Sequence, residues 1–305
     1  MRESRQTEIL LESGTNELEI MEFTIGGELF GINVAKVREI MRVAPIKPIQ
    51  RSHPNIEGVF KPRDKVLTVI NLAGYLGLPA QESAERDIFM ITNFNNQDFA
   101  FHVHSVVGID RISWEQIKKP DAVVFGGREG IATAIAEYEG RLITVLDFEA
   151  IVADISPATG IQVSDVAHLS DRARTAKPVL IAEDSMMLSK IIIECLHSAG
   201  YTNTIKTSDG EEAWKFLCEV KETGETVTDH VSCIISDIEM PRMDGHRLTK
   251  LVKTDPVLRT IPLVLFSSLI SKEMRIKGEQ LGADEQVSKP EIARLVGVVD
   301  QLTER

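Results

Sequence analysis

From residue 178 to residue 302 the chain repeats one grammar: a short apolar run, a polar break, then a segment with apolar residues at helical spacing. "PVLIAEDS" precedes "MMLSKIIIECLHSAGY", "NTIKT" precedes "DGEEAWKFLCEVKE", and "VSCIIS" precedes "DGHRLTKLVKTD". "IPLVLFSS" with "SKEMRIKGEQLG" and "EQVS" with "EIARLVGVVDQLTE" complete the series. Parallel neighbours need a crossover long enough to hold a helix, so five strands alternating with five helices predict an α/β doubly wound five-stranded parallel sheet.

That prediction gives the strand ends a chemical meaning. In open parallel sheets, ligands bind in the crevice outside the carboxyl ends of the strands. The residues standing there are Glu183-Asp184 after the first strand, Asp237 after the third, Ser267-Ser268 after the fourth and Lys289-Pro290 after the fifth. Carboxylates converging on one crevice repel by about 4 kcal/mol per pair at 4 Å and an effective dielectric of 20, so a proton or a cation must intervene. A hard divalent ion fits an all-oxygen set, and Mg2+ is the expected cofactor. One carboxylate can then act as a nucleophile toward phosphorus. The central strand makes Asp237 the expected phospho-acceptor, with Lys289 as a point charge and Ser267 as a hydroxyl donor for the phosphoryl oxygens. Taken singly, acids at strand ends are common helix caps; it is their combination and order that point to a site.

The earlier half reads differently. "LEIMEFTIGGELFGI", "VLTVINLAGYLG", "DIFMITNFNNQDFAFHVHSVVGI" and "IATAIAEYEGRLITVLDF" are strand-like runs separated by turn residues, with hairpins expected at Asn95-Asn96 and Glu139-Gly140. Short strands at this spacing predict an all-β barrel or sandwich. Domain limits follow from the change of pattern: a β domain over 15–158, a weakly periodic Gly- and Ser-containing linker over 159–176 with room for one short helix, and the α/β domain over 177–305.

Other features constrain function by what they exclude. The net charge of −12 disfavours nucleic acid and anionic lipid, leaving proteins as the expected partners. No apolar run approaches the length of a membrane span, so a cytoplasmic location without membrane insertion is expected. Three cysteines form no metal or redox spacing. His102 and His104 lie two apart on one strand, a spacing read as structural for want of a third ligand; "FGGREG" at 125–130 reads as a turn, and "KETGETVTDH" as a surface loop without a role.

With these residues in hand, the later half resembles the receiver domain of two-component response regulators, through "AEDS", "SDIEMPRMDG", "LFSS" and "VSKP" separated by 53, 30 and 22 residues. The resemblance implies a phosphoryl group taken from a histidine kinase onto Asp237. It also implies magnesium held by Asp184, Asp237 and the carbonyl of Glu239; Glu183, the first acid of the pair, is expected at the same metal site from its place at the strand end. Gln286 stands where the family often has an aromatic residue. The earlier half resembles the CheW-like chemotaxis coupling domain, a double SH3-like β-barrel. Asn55, Ile56, Gly58 and Arg63 match its N-I-x-G-x-x-x-x-R-G pattern, while Pro62 and Asp64 replace the usual leucine and glycine. That resemblance implies chemoreceptors (methyl-accepting chemotaxis proteins) and a chemotaxis histidine kinase as partners, with Arg63, Ile56 and Gly58 in the contact, at membrane-bound receptor arrays. Together the two imply an adaptor rather than an enzyme. The rival reading is a magnesium-dependent aspartyl phosphatase of the haloacid-dehalogenase kind, which places its nucleophile after the first strand instead of the third.

Overall fold

The computed structural model describes residues 17–79, 87–94, 97–113, 116–118, 131–157, 161, 163–169, 172–268 and 272–304. The chain divides into two compact units, Glu17–Thr159 and Gly160–Arg305.

The first unit contains two sheets. The six-stranded sheet holds β1 (Glu17–Ile25), β2 (Glu28–Asn33), β8 (Ser105–Ser113), β9 (Ile117–Lys118), β10 (Ala132–Tyr138) and β11 (Arg141–Leu146), in the order β8-β1-β2-β11-β10-β9. The five-stranded sheet holds β3 (Val37–Arg42), β4 (Ile56–Phe60), β5 (Leu67–Asn71), β6 (Ile88–Phe94) and β7 (Gln97–Val103), in the order β3-β6-β7-β5-β4. Helices α1 (Leu72–Leu76) and α2 (Phe148–Ile155) follow β5 and β11. Tight turns set the registers. Glu139 (φ 47°) and Gly140 (φ 73°) both adopt the left-handed conformation that a two-residue hairpin requires, so Tyr138 faces Arg141. Phe94 likewise faces Gln97 across the expected Asn95-Asn96 turn, whose own residues lie outside the described ones, as do Trp114 and the 125–130 stretch.

Alternation along the strands decides where the cores sit. On β6, Phe89 and Ile91 enter one core with Phe60, Leu67, Val69 and Ala100. Met90 and Phe94 enter another, shared with Phe23, Ile25, Phe101 and Phe148. A third core, around Ile20, Ile112, Ile143 and Val145, fills the far side of the six-stranded sheet. Both faces of the central strands are therefore buried, each side chain contributing about 1.5–3 kcal/mol.

His102 on β7 clasps two acids within this unit. Its Nδ1 lies 2.9 Å from Glu57 on β4, and its Nε2 lies 3.1 Å from Asp87 beside β6. Burial disfavours the charged ring, but hydrogen bonds and charge from Glu57 and then Asp87 outweigh it and raise the pKa above the ordinary 6.5. A raised folded-state pKa stabilises fully below the unfolded value and is lost as pH rises through the folded one. Hydrogen exchange of β7, compared between the native chain and His102→Gln at matched pH, is expected to differ most near pH 6 and to converge at higher pH. A difference that grows with pH would contradict this sign.

In the second unit β13 (Thr204–Thr207), β12 (Val179–Ala182), β14 (Cys233–Ser236), β15 (Leu263–Ser267) and β16 (Glu285–Ser288) lie side by side in that order, every pairing parallel. Helices α3 (Met186–Ser198), α4 (Gly210–Glu222), α5 (Val227–His230), α6 (Gly245–Thr254), α7 (Lys272–Leu281) and α8 (Ile292–Leu302) fill the connections. Val179, Ile181, Ile235 and Phe266 face one core with α3 and α8, while Leu180, Ile234, Leu263 and Leu265 face the other with α4 and α6. Strand order reverses between β12 and β14, which opens the crevice at their carboxyl ends.

Two local readings change. Within "KETGETVTDH" the structure forms the helical turn α5, because Val227 is a buried anchor among polar neighbours. In the stretch expected as a linker, Ile161 and Val166 are buried in the α/β core, and Thr175 pairs with Tyr201 in a parallel bridge.

Candidate functional site

Two chain segments leave the sheet at its switch point and bring their first polar residues together. β12 ends at Ala182, and the next two residues are Glu183 and Asp184; Ser185 then caps α3 by accepting from the Leu188 N–H. β14 ends at Ser236, and the Asp237 N–H donates to the Ala182 carbonyl at 2.9 Å, extending the ladder by one step and fixing the acid beside the pair. One carboxylate oxygen from each of Glu183, Asp184 and Asp237 falls within 4.8 Å of the others.

Lys289 enters the same pocket from the end of β16. Its Nζ lies 2.8 Å from Asp237 Oδ2 and 3.0 Å from Glu183 Oε2, and its own N–H bonds the Ser267 carbonyl at 3.1 Å. Lys289 is 1% exposed, Glu183 2% and Asp237 4%, so this is a buried charge cluster rather than a surface pair. The other Asp237 oxygen accepts from the Ile238 N–H at 2.6 Å, and Glu183 Oε1 accepts from the Ser185 N–H at 3.2 Å. Ser267 is 1% exposed at the end of β15, in register with Ser288. Glu239 follows two residues after Asp237, half-buried.

The loop from 238 to 245 is held against the sheet by devices the sequence reading did not single out. A Cβ on Gly245 would stand 2.0 Å from the Asp237 carbonyl oxygen, and one on Gly210 would stand 2.5 Å from that of Met243. Only hydrogen fits at either place. Arg242 takes a left-handed backbone (φ 62°) and pairs with the fully buried Asp209. Asp209 in turn caps α4 through the Glu211 and Glu212 N–H groups. The Asp-Gly pair at 244–245 was the available signal for the turn; the Arg242–Asp209 contact spans 33 residues and has no periodic signature.

In the β unit, the three expected contact residues divide by exposure. Arg63 is displayed, its side chain 80% exposed and 3.1 Å from Glu39. Ile56 is half-buried against the core between the sheets. Gly58, at φ 145°, would place a Cβ 2.3 Å from the Lys47 carbonyl, so glycine is required there by backbone approach. Asp64, which replaces the usual glycine, is not among the described residues with positive φ, so the bend at Pro62–Asp64 forms without a left-handed residue at that position.

Comparison with known proteins agrees with both geometries. Residues 19–156 match the CheW-like domain family, and residues 179–300 match the response regulator receiver domain family. The chain is thus a chemotaxis-type signalling protein that joins a CheW-like domain to a receiver domain. It is 29% identical to "Chemotaxis protein CheV3" of Helicobacter pylori across 88% of this chain and 89% of that one. It is 26% identical to "Chemotaxis protein CheV1" of the same organism across 95% and 94%. The β unit alone is 25% identical to "Chemotaxis protein CheW" of Thermotoga maritima, which spans 50% of this chain and 98% of that protein. In domain content, domain order and length of match, the chain is similar to the CheV chemotaxis proteins. No described helix is long and apolar enough to cross a membrane.

Proposed function

We propose that the chain couples chemoreceptors to a chemotaxis histidine kinase through its CheW-like domain, and that phosphorylation of Asp237 modulates this coupling or drains phosphoryl groups from the kinase. The observation that carries the proposal is the meeting of Glu183, Asp184, Asp237 and Lys289 in one buried pocket at the strand ends. The donor set is all oxygen and contains no thiol or imidazole, which fits a hard cation. Glu183, Asp184 and Asp237, with the Glu239 carbonyl, are the groups that would hold Mg2+, and the ion would supply charge neutralisation for an incoming phosphoryl group.

The chain's own residues provide the rest. Asp237 presents Oδ2 toward Lys289, and the ammonium is placed to follow negative charge from the carboxylate to a phosphoryl oxygen. The Ile238 N–H orients the other oxygen, and Ser267 stands at the end of the neighbouring strand as a hydroxyl donor. Phosphoryl transfer onto Asp237 and its hydrolysis are the only chemistry proposed, so the chain acts as an adaptor located with receptor arrays on the cytoplasmic side.

Co-sedimentation with receptor signalling fragments and kinase tests the coupling half. Binding is expected to change when acetyl phosphate and Mg2+ are added, and Arg63→Ala is expected to weaken it about tenfold, as for an exposed charged anchor. Binding that ignores both changes would remove this reading. Multiple turnover of a simple phosphomonoester would instead favour the phosphatase alternative.

A further inference from the structure

Between β14 and α6 the chain crosses the mouth of the acidic pocket in residues 238–244, which form neither helix nor strand and carry the Glu239 carbonyl. The near end of this loop is tied to the site. The Ile238 N–H donates to Asp237 Oδ1 at 2.6 Å, and the Gly245 N–H donates to the Ile238 carbonyl at 2.9 Å. Its far end is tied to a different element, the first turn of α4. The Gly210 N–H donates to the Met243 carbonyl at 3.2 Å, and Arg242 Nε donates to Asp209 Oδ2 at 2.9 Å, with Glu211 Oε2 at 3.6 Å. Neither Asp209 nor Arg242 is part of the Glu183–Asp184–Asp237–Lys289 cluster.

This contact is built to hold. The Arg242 side chain is 44% exposed, but Asp209 is completely buried, so water screens only one end of the pair. Both Asp209 oxygens are committed: Oδ1 accepts from the Glu211 and Glu212 N–H groups, and Oδ2 accepts from the guanidinium fork. Arg242 also keeps φ 62°, a left-handed backbone that is unfavourable for any residue with a Cβ. The side-chain pairing offsets that strain, and the bend at 241–243 persists because of it.

We propose that Asp209 and Arg242 are positioning residues for the metal site: by clamping the 241–243 bend onto α4 they set where the Glu239 carbonyl stands relative to Asp237. A backbone carbonyl has no side-chain torsion with which to adjust, so the loop's path decides its place. Mg2+ demands near-octahedral oxygen geometry and tolerates little displacement of a ligand. Neither side chain is assigned a contact with the ion. The inference rests on the reading of the pocket as a Mg2+ site given above.

The opposite charges of the two residues supply the test. Arg242→Gly removes a cation and suits φ 62°. Asp209→Asn removes an anion and keeps the α4 cap, because asparagine accepts the same two N–H bonds. Acting through their fields alone, the first change would tighten Mg2+ binding and the second would weaken it. Positioning weakens it in both. Calorimetric titration of the full-length chain with MgCl2 is expected to show Kd raised about tenfold in each variant, and no further in the double variant. In EDTA, hydrogen exchange across 238–245 is expected to be about tenfold faster in each, the worth of one charge-assisted hydrogen bond. Unchanged or tighter Mg2+ binding in Arg242→Gly, multiplied losses in the double variant, or unaltered exchange across 238–245 would overturn the clamp. Arg242→Gly alone decides the sign should Asp209→Asn fail to fold. A native chain that binds no Mg2+ would instead remove the metal reading and the positioning role with it, while faster exchange across 238–245 in the variants would still establish the clamp on the loop.

Discussion

Replacing Lys289 with methionine is expected to destabilise the receiver domain by about 3 kcal/mol or more in the presence of a chelator, because removing one member of a buried ionic cluster leaves charge uncompensated. The ammonium stands between Asp237 and Glu183, and all three are buried. Without it, one of the carboxylates must take up a proton or admit water. Ligand binding to the folded state restores stability by mass action, about 2.7 kcal/mol at a hundredfold excess over Kd. Mg2+ is therefore expected to recover more stability in Lys289→Met than in the native chain, as read by urea denaturation with and without EDTA. A variant as stable as the native chain in EDTA would contradict the charge balance described for the pocket.

The second large effect belongs to Gly245. An alanine Cβ there meets the Asp237 carbonyl oxygen at 2.0 Å, its carbon at 2.9 Å and the Ile238 Cα at 3.0 Å. All three are backbone atoms, so relief requires moving the segment that carries the phospho-acceptor. Gly245→Ala is expected to cost about 2–3 kcal/mol through overpacking, and to slow phosphorylation at least about tenfold through misplacement of Asp237. Gly297 in α8 is the control: nothing lies within 4 Å of its added Cβ. Gly297→Ala is expected to stabilise the same domain by about 0.5–1 kcal/mol through helix propensity alone. Thermal denaturation and acetyl phosphate labelling of the pair distinguish a packing constraint at residue 245 from a general intolerance of substitution.

The α/β half was legible because its signals are local and periodic. Each strand is a short run such as "VLIA" or "CIIS", three helices carry side-chain caps at Ser185, Asp209 and Asp244, and the acids stand where strands end. The partition of charge in the pocket was less legible. Glu183 entered the sequence reading as a metal ligand, whereas in the structure its Oε2 also balances Lys289, 106 residues away along the chain. Helix α5 was hidden because one valine among polar residues carries no period. In the β half, strands buried on both faces, such as β6 with Phe89 and Met90 in different cores, lack the clean alternation that would have assigned each side. The N-I-x-G stretch was visible as a motif, but only the backbone approach at Gly58 explains why one of its positions is glycine.

Phosphodonor labelling followed by mapping of the modified residue tests the central claim most directly. Incubated with acetyl phosphate and Mg2+, the native chain is expected to gain one hydroxylamine-labile acyl phosphate on Asp237, to gain none when EDTA replaces Mg2+, and to show none in Asp237→Asn. Equal labelling of the asparagine variant, or a label mapped to any other side chain, would contradict the account.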